Sequence, residues 1–242
     1  MPAAAVVKSL DFEDLTSIVR YFKVQFKKLG VKVFTGKEVD SNTIGSLKPD
    51  VVVIATGGRQ VIPEKTVNKR VISAASLHRQ LKFWLNFIGP EKLSWLTRLW
   101  IPAGREVVII GGDIHGCEIA EFLVKRGRKV TILEKTDNLG KGIIDFLLLT
   151  LIPWFQNKGV AMITGLKSIE ITEDGVDVIS SEGVKKTFKA DTIISATHLE
   201  PDDTLASNLK GKVAEVYSVG DCKEPRLIVD AIADGWKVGR SI

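Results

Sequence analysis

The residues best suited to chemistry in this sequence surround a glycine-rich turn. The apolar run from Val107 to Ile110 leads into Gly111-Gly112-Asp113-Ile114-His115-Gly116, and a second apolar run ends at Glu134. A buried strand that enters a glycine turn and then a helix leaves free backbone N–H groups at the helix start, where phosphate binds. The acid lies 134 − 111 = 23 residues after the first glycine, as in βαβ dinucleotide-binding units. We therefore predict a nicotinamide dinucleotide site at this turn.

The residues of this site have distinct predicted roles. Gly111 permits the sharp turn, Gly116 lets the helix approach the strand, and the amides of the turn face a pyrophosphate. Because a carboxylate at Glu134 accepts hydrogen bonds from the ribose diol and repels a 2′-phosphate, NADH is favoured over NADPH. The predicted cofactor-binding residues are Gly111, Gly112, Asp113, Ile114, His115, Gly116, Glu134 and Lys135.

One residue departs from the dinucleotide-binding pattern. Asp113 occupies the second glycine position, where its carboxylate would crowd and repel the phosphates. Two unit charges about 4 Å apart repel by ~1 kcal/mol in water and ~4 kcal/mol at a surface-like dielectric. The side chain could instead point away, pair with His115, or cap the helix, a role that Asp fills well. Weak NADH binding is one expected outcome.

The elements that position this turn follow from the hydrophobic pattern. Apolar runs of strand length occur at 51–54, 107–110, 130–133 and 193–194. Such continuous runs are typical of parallel strands buried on both faces. Residues 15–29 carry apolar side chains at helical spacing and end at Gly30, which predicts a helix. From Val160 to Lys189, short β-type segments separated by turn sequences predict a small antiparallel meander. The fold class is α/β.

Residues 81–102 form a Trp-rich segment that contains three of the five tryptophans. Its pattern predicts two short amphipathic helices broken at Gly89-Pro90. We expect both helices to bury their rings against the fold, because aromatic residues at helical spacing are usually core. The alternative is a docking face for a missing domain, a second subunit or a membrane surface.

Composition and charge exclude several other classes of protein. The chain has 242 residues, a net charge of +5 and 45% hydrophobic residues, which is typical of a globular protein. The basic residues are scattered, and the densest stretch, 125–129, closes a helix, so we expect no nucleic-acid partner. Cys117 and Cys222 form neither a CxxC pair nor a metal-ligand spacing. We expect no metal site and a reducing compartment, the cytoplasm.

Two further strings flank the glycine-rich unit. Residues 49–58 read Pro-Asp-Val-Val-Val-Ile-Ala-Thr-Gly-Gly, and residues 216–222 read Val-Tyr-Ser-Val-Gly-Asp-Cys. They resemble the Ala-Thr-Gly and Gly-Asp segments of flavoproteins with two dinucleotide-binding folds. Apart from the Trp-rich segment, nearly the whole chain resembles the C-terminal region of the 2,4-dienoyl-CoA reductase and 2-enoate reductase group. This group is the NADH:flavin oxidoreductase family, whose fold is pyridine nucleotide-disulfide oxidoreductase-like.

The resemblance implies a discontinuous architecture with two cofactor sites. A Rossmann-like NAD(P)H-binding domain, 59–199, is inserted into a partial FAD-type domain formed by 1–58 and 200–242. By resemblance, the residues near the flavin are Ala55, Thr56, Gly57, Gly220 and Asp221, with Asp221 binding the ribityl chain. Glu118 resembles the helix glutamate near the nicotinamide and is the one catalytic candidate.

The implied activity is hydride transfer from NADH to a flavin, with electrons passing on to a partner domain. By resemblance, that partner contains an FMN barrel and an iron–sulfur cluster. The family's glycine-rich FAD turn precedes the matching region, so we expect a fragment or a split subunit, inactive alone, with FAD held in the complete protein. The alternative is a binding or assembly module that keeps the fold but not tight cofactor binding, with residues 81–102 as its contact face.

Overall fold

The computed structural model describes residues 12–60, 71–73, 103–196 and 199–242, together with scattered positions between 76 and 101. Its helices in this part of the chain are α1 (Phe12–Lys28), α2 (Ser41–Leu47), α3 (Ile114–Val124), α4 (Asp145–Asn157), α5 (Thr204–Leu209) and α6 (Ile228–Gly239). The strands are β1 (Val51–Ile54), β2 (Arg59–Gln60), β3 (Val71–Ser73), β4 (Glu106–Ile110), β5 (Lys129–Leu133), β6 (Ala161–Ile163), β7 (Leu166–Ile171), β8 (Gly175–Ser180), β9 (Lys185–Lys189), β10 (Thr192–Ser195), β11 (Leu199–Glu200) and β12 (Glu215–Ser218).

A parallel five-stranded sheet in the order β3-β10-β4-β5-β6 forms the centre of the first unit. Helix α3 connects the neighbouring strands β4 and β5, whose register pairs Ile110 with Leu133. Both strands therefore end at the same edge of the sheet, which places the glycine turn beside Glu134. The α/β fold and the βαβ unit predicted from the apolar runs are confirmed.

Both faces of this sheet are covered. Side chains of β4 alternate, so Val107 and Ile109 face helices α3 and α4, where Phe122 and Phe155 are fully buried. Val108 and Ile110 face the other way, against β7 and β8. Strands buried on both faces carry continuous apolar sequences, which explains the pattern of the sequence.

The segment from 160 to 189 contains the predicted antiparallel meander, with strand order β7-β8-β9. Its turns lie at residues 172–174, just before Gly175, and at residues 181–184, which include Gly183. The predicted helix at 15–29 is also confirmed, because α1 ends at Lys28 and Gly30 has a φ of +67°. The basic stretch at 125–129 separates α3 from β5, as expected.

The second unit is smaller and has its own core. Strand β1 pairs in parallel with β12, and β2 pairs antiparallel with β11. Ile44, Ile54, Leu209 and Cys222 form the buried cluster of this unit. The parallel pairing joins segments that are more than 160 residues apart in sequence and brings the ends of β1 and β12 together.

The chain divides into two compact units, Met1–Val31 with Ile62–Thr197, and Lys32–Val61 with His198–Ile242. The predicted division, with residues 59–199 inserted between residues 1–58 and 200–242, stays a prediction. Which cofactor belongs to each unit stays a prediction.

The structure describes only a few positions of the Trp-rich segment. Trp95 is 61% exposed, and the exposed rings of Phe83 and Phe87 contact each other at 5.2 Å between centroids. The expectation that the segment buries its tryptophan rings is therefore wrong for Trp95, while Trp84 and Trp100 lie outside the described residues. Thr97 is buried and accepts a hydrogen bond from Arg126 Nε at 2.9 Å, which ties the segment to the end of α3. In the described part of the chain, no helix is long and apolar enough to cross a bilayer.

Candidate functional site: a self-capped dinucleotide turn

The predicted dinucleotide turn lies at the carboxyl end of β4, where the chain enters α3. Gly111 has a φ of +105°, which L-residues with a Cβ rarely adopt, and its N–H donates to Leu133 O at 2.9 Å. A Cβ at Gly116 would overlap the carbonyl oxygen of Gly111. The two glycines thus have the roles predicted for them: one makes the turn, and the other allows the helix to approach it.

Asp113 caps the helix that follows. Its Oδ1 accepts the backbone N–H of His115 at 2.9 Å and that of Gly116 at 3.1 Å. The side chain is only 6% exposed, and the backbone of Asp113 is extended, as an N-cap requires. The capping interpretation is therefore confirmed. The anion at the N-terminus of α3 is therefore the carboxylate of Asp113.

Glu134 also bonds to the turn. Its Oε2 accepts the N–H of Gly112 at 2.6 Å, and its Oε1 accepts the N–H and Oγ1–H of Thr136 at 2.8 and 3.0 Å. Burial raises the pKa of Glu134, but the hydrogen bonds from Thr136 and Gly112 outweigh it and hold the pKa below its usual value. The carboxylate is therefore charged at neutral pH and fixed beside the turn.

The segment after β5 covers the same turn, and sequence reasoning missed it. Ile114 N–H donates to Lys141 O at 2.9 Å, and Gly140 N–H donates to Gly112 O at 2.6 Å. The side chain of Leu139 lies where a Cβ at Gly112 would stand. We call residues 139–141 the strap. The glycine at 140, with φ of +79°, was the signal in the sequence for a tight turn here.

The amides of Gly111, Gly112, Ile114, His115 and Gly116 thus all donate to acceptors within the chain. The expectation that free amides face a pyrophosphate is wrong for this conformation. A dinucleotide would compete with these acceptors for the amides of the turn. Its diphosphate could use the amides of His115 and Gly116 only after the Asp113 carboxylate releases them.

The remaining predicted residues of this site are His115, Glu118 and Lys135. His115 and Lys135 are exposed, and Glu118 is half-buried on α3. The position of Glu118 near a nicotinamide stays a prediction. Cys117 is fully buried, and burial, with a further contribution from the Asp113 charge, raises the pKa of its thiol to about 12. A thiol held this far from ionisation is structural rather than reactive.

The second predicted site lies at the ends of β1 and β12. Val219 N–H donates to Ile54 O at 2.9 Å, and Cys222 Sγ–H lies 3.2 Å from the same oxygen. Residues 55–58 therefore lie beside Gly220 and Asp221. A Cβ at Gly58 would stand 3.4 Å from Asp221 Cβ. Segments that the resemblance assigns to one flavin site do meet in this unit.

Within this second site, the backbone and one carboxylate are available to a ligand. Ala55 and Thr56 are exposed, so the chain passes close to solvent here, and Gly57 turns the backbone with a φ of +84°. Asp221 is half-buried, and its Oδ1 accepts the N–H of Arg226 at 3.3 Å. In the described part of the chain, its Oδ2 has no hydrogen bond. The residues fit a hydroxyl-bearing ligand such as a ribityl chain.

Comparisons with known proteins agree with this fold. The model of the family described as "Pyridine nucleotide-disulphide oxidoreductase" matches residues 3–235. The chain is 28% identical to "NADH oxidase" of Thermoanaerobacter brockii over 223 residues, which is 92% of this chain and 32% of that protein. It is also 28% identical to "Bilirubin reductase" of Mediterraneibacter gnavus over 224 residues, with the same two shares.

A solved structure of 2-naphthoyl-CoA reductase matches this one with a TM-score of 0.81 and 30% identity, covering 99% of this chain and 34% of the other. The resemblance inferred from the sequence is confirmed. The chain spans about a third of the length of each of these relatives.

Proposed function

The chain belongs to the pyridine nucleotide-disulphide oxidoreductase family, and we propose that it is the nucleotide-binding region of an NADH-dependent, flavin-linked oxidoreductase. In this region the α3 turn would hold NADH and the second unit would hold a flavin that accepts its hydride. The two electrons would then pass to a partner domain, and the proton would be released. The cofactors supply the redox chemistry, and the protein supplies position and electrostatics. No nucleophilic side chain is required.

The contact between Glu134 and Gly112 carries this proposal. It holds a charged carboxylate at the end of β5, directly beside the glycine turn, where the ribose diol of a dinucleotide lies in βαβ units. The same charge disfavours a 2′-phosphate, which supports a preference for NADH over NADPH. Relatives named NADH oxidase and bilirubin reductase are consistent with reductase chemistry.

The flavin half of the proposal rests on the meeting of residues 55–58 with Gly220 and Asp221. FAD binds there through Asp221 and nearby backbone groups. A flavin-containing partner domain or subunit is part of the proposal by resemblance to the NADH:flavin oxidoreductase family. A cytoplasmic location is part of the proposal, because both cysteines are free thiols in the structure.

One observation favours a second candidate function, a binding or assembly module that no longer holds the cofactor tightly. Asp113 occupies the amides that a diphosphate needs, and the strap covers the turn. In this alternative the fold is retained for contacts with a partner, and the exposed rings of the Trp-rich segment, such as Trp95, contribute to them.

Ligand titrations decide between the two functions. NADH is added to the purified chain and followed by nicotinamide fluorescence, with NADPH as the matched control, and absorbance in the flavin bands is measured before and after adding FAD. Saturable NADH binding that exceeds NADPH binding supports the reductase region. No binding of either nucleotide, in the wild type or after Asp113 is replaced, would leave only the assembly function.

A further inference from the structure

Helix α6 contains a buried acid that the proposed function does not yet use. Asp234 is 7% exposed, and burying a charged carboxylate is costly unless hydrogen bonds replace its water. Its Oδ2 accepts the backbone N–H of Gly220 at 3.3 Å and Arg226 Nη2–H at 3.1 Å. One oxygen therefore joins α6, the turn before Asp221 and the loop after it.

Arg226 extends this connection to Asp221. Its backbone N–H donates to Asp221 Oδ1 at 3.3 Å, while its guanidinium lies 3.1 Å from Asp234 and 3.3 Å from Glu224. The residue thus binds Asp221 with its main chain and Asp234 with its side chain. Asp221 is therefore held at two points. The residue before it, Gly220, donates its amide to Asp234, and its own carboxylate accepts the amide of Arg226.

The electrostatics of the group keep Asp234 charged. Burial raises the pKa of Asp234, but the Gly220 hydrogen bond and the charges of Lys223 and Arg226 outweigh it and lower the pKa. Asp230 also lies near the guanidinium, with Oδ1 3.7 Å from Arg226 Nη1. Glu224 also contacts both Arg226, with its carboxylate, and the Gly220 oxygen, with its backbone N–H. Asp234 differs because its side chain accepts hydrogen bonds from both the Gly220 amide and the Arg226 guanidinium, so it couples the loop to the turn.

We propose that Asp234 is a positioning residue, which fixes the Gly220–Asp221 turn and the Arg226 loop so that the Asp221 carboxylate is preorganised for a hydroxyl-bearing ligand. This inference rests on the proposed function, in which that ligand is the ribityl chain of FAD. The positive φ of Gly220, +67°, permits the turn in which its N–H donates to Asp234.

The first test needs no flavin. Hydrogen exchange at the Gly220 amide is measured by NMR in the wild type, Asp234→Ala and Asp234→Asn, with Asp50→Ala as the control. Asp50 is an exposed acid at the opposite end of the β1–β12 pair. We expect about tenfold faster exchange in Asp234→Ala, since a charged acceptor is lost. Asp234→Asn keeps an acceptor oxygen and stays within about threefold of the wild type.

The second test is a double-mutant cycle with FAD as the probe. FAD affinity is measured by flavin fluorescence for Asp221→Ala, Asp234→Ala, their combination and the control. We expect Asp234→Ala to weaken binding about tenfold in the wild type, but less than about twofold when Asp221 is already absent, because it acts through Asp221. A merely structural role would give additive losses.

The outcomes separate this inference from the proposed function. Unchanged Gly220 exchange in Asp234→Ala, or additive losses in the cycle, would overturn the positioning role. If the wild-type chain takes up no FAD, the flavin half of the proposed function fails, while Gly220 exchange still decides whether Asp234 fixes the turn. Should Asp234→Ala unfold, Asp234→Asn replaces it in the cycle. Asp234→Asn lacks the negative charge that binds the Arg226 guanidinium. An FAD affinity equal to that of the wild type would then contradict the proposal.

Discussion

The Oδ1 atom of Asp113 lies 3.1 Å from the backbone nitrogen of Gly116 and accepts its hydrogen bond at the first turn of α3. A helix N-terminus favours an anion there, both through its unpaired amides and through its dipole. In this protein the anion at the helix N-terminus is the carboxylate of Asp113. Nucleotide affinity is therefore set by an exchange between two anions, the carboxylate and the diphosphate, for the same amides.

Gly116→Ala is expected to unfold or severely destabilise the βαβ unit, because the added Cβ meets the backbone oxygen of Gly111. We expect a loss of at least about 2 kcal/mol in the free energy of unfolding. The matched control is Gly235→Ala on α6, where the Cβ enters open space and should stabilise by about 0.5–1 kcal/mol. Chemical denaturation measures both. Equal effects of the two variants would disprove the close approach at Gly116.

Glu134→Gln is expected to weaken NADH binding and to reduce discrimination against NADPH, because the amide is uncharged and can no longer repel a 2′-phosphate. The Gly112 N–H keeps an acceptor oxygen in this variant, so the turn itself should persist. Dissociation constants for both nucleotides give the selectivity ratio. Lys158→Gln, an exposed position just after α4 and outside the predicted site, is the control. A selectivity ratio that Glu134→Gln leaves unchanged would remove Glu134 from the site.

The lowered pKa of Glu134 predicts a specific pH dependence. A carboxylate with a folded-state pKa below its unfolded value of 4.5 stabilises the protein fully above that value. The contribution disappears as pH falls through the lower, folded-state pKa. The difference in unfolding free energy between the wild type and Glu134→Gln should therefore be constant above about pH 5.5 and shrink in acid. Urea denaturation from pH 3 to 7 tests this, and a difference independent of pH would contradict it.

Both cysteines should be unreactive in the folded protein. Cys117 and Cys222 are 0% and 1% exposed, and the pKa of Cys117 is raised to about 12, so its reactive thiolate is scarce at neutral pH. We expect fewer than one titratable thiol per chain under native conditions and two after unfolding, measured with a chromogenic disulfide reagent. Rapid native labelling of Cys117, located by mass spectrometry, would be incompatible with the packing of α3.

The local pattern of apolar residues and glycines in the sequence was sufficient to predict much of the fold. The continuous apolar run at 107–110 is required by a strand between two covered faces, and the positive-φ glycines at 30 and 111 mark a helix end and a turn. These features depend on neighbours in sequence, so the sequence predicts them. The meander between 166 and 189 was predictable for the same reason.

The parts that sequence reasoning missed depend on distant contacts or on a choice between rotamers. Asp113 had several possible orientations, and only the geometry of the turn selects the cap. The strap contacts the turn through backbone groups of Gly140 and Lys141, so the glycine at 140 indicates a tight turn but not what that turn contacts. Asp234 meets Gly220 across 14 residues of loop and helix, a distance beyond any local motif. Helical spacing also predicted burial for Trp95, whose ring is exposed.

The central claim is that Asp113 competes with the nucleotide for the start of α3, and calorimetric titration of NADH into the wild type, Asp113→Asn and Asp113→Gly tests it most directly. Asn preserves the cap without the charge, while Gly frees the amides and costs the helix only a few tenths of a kcal/mol. We predict that affinity rises from wild type to Asn to Gly, by roughly fivefold or more overall, as relief of ~1–4 kcal/mol of repulsion requires. Equal affinity in the three proteins, or no NADH binding even in Asp113→Gly, would contradict the account.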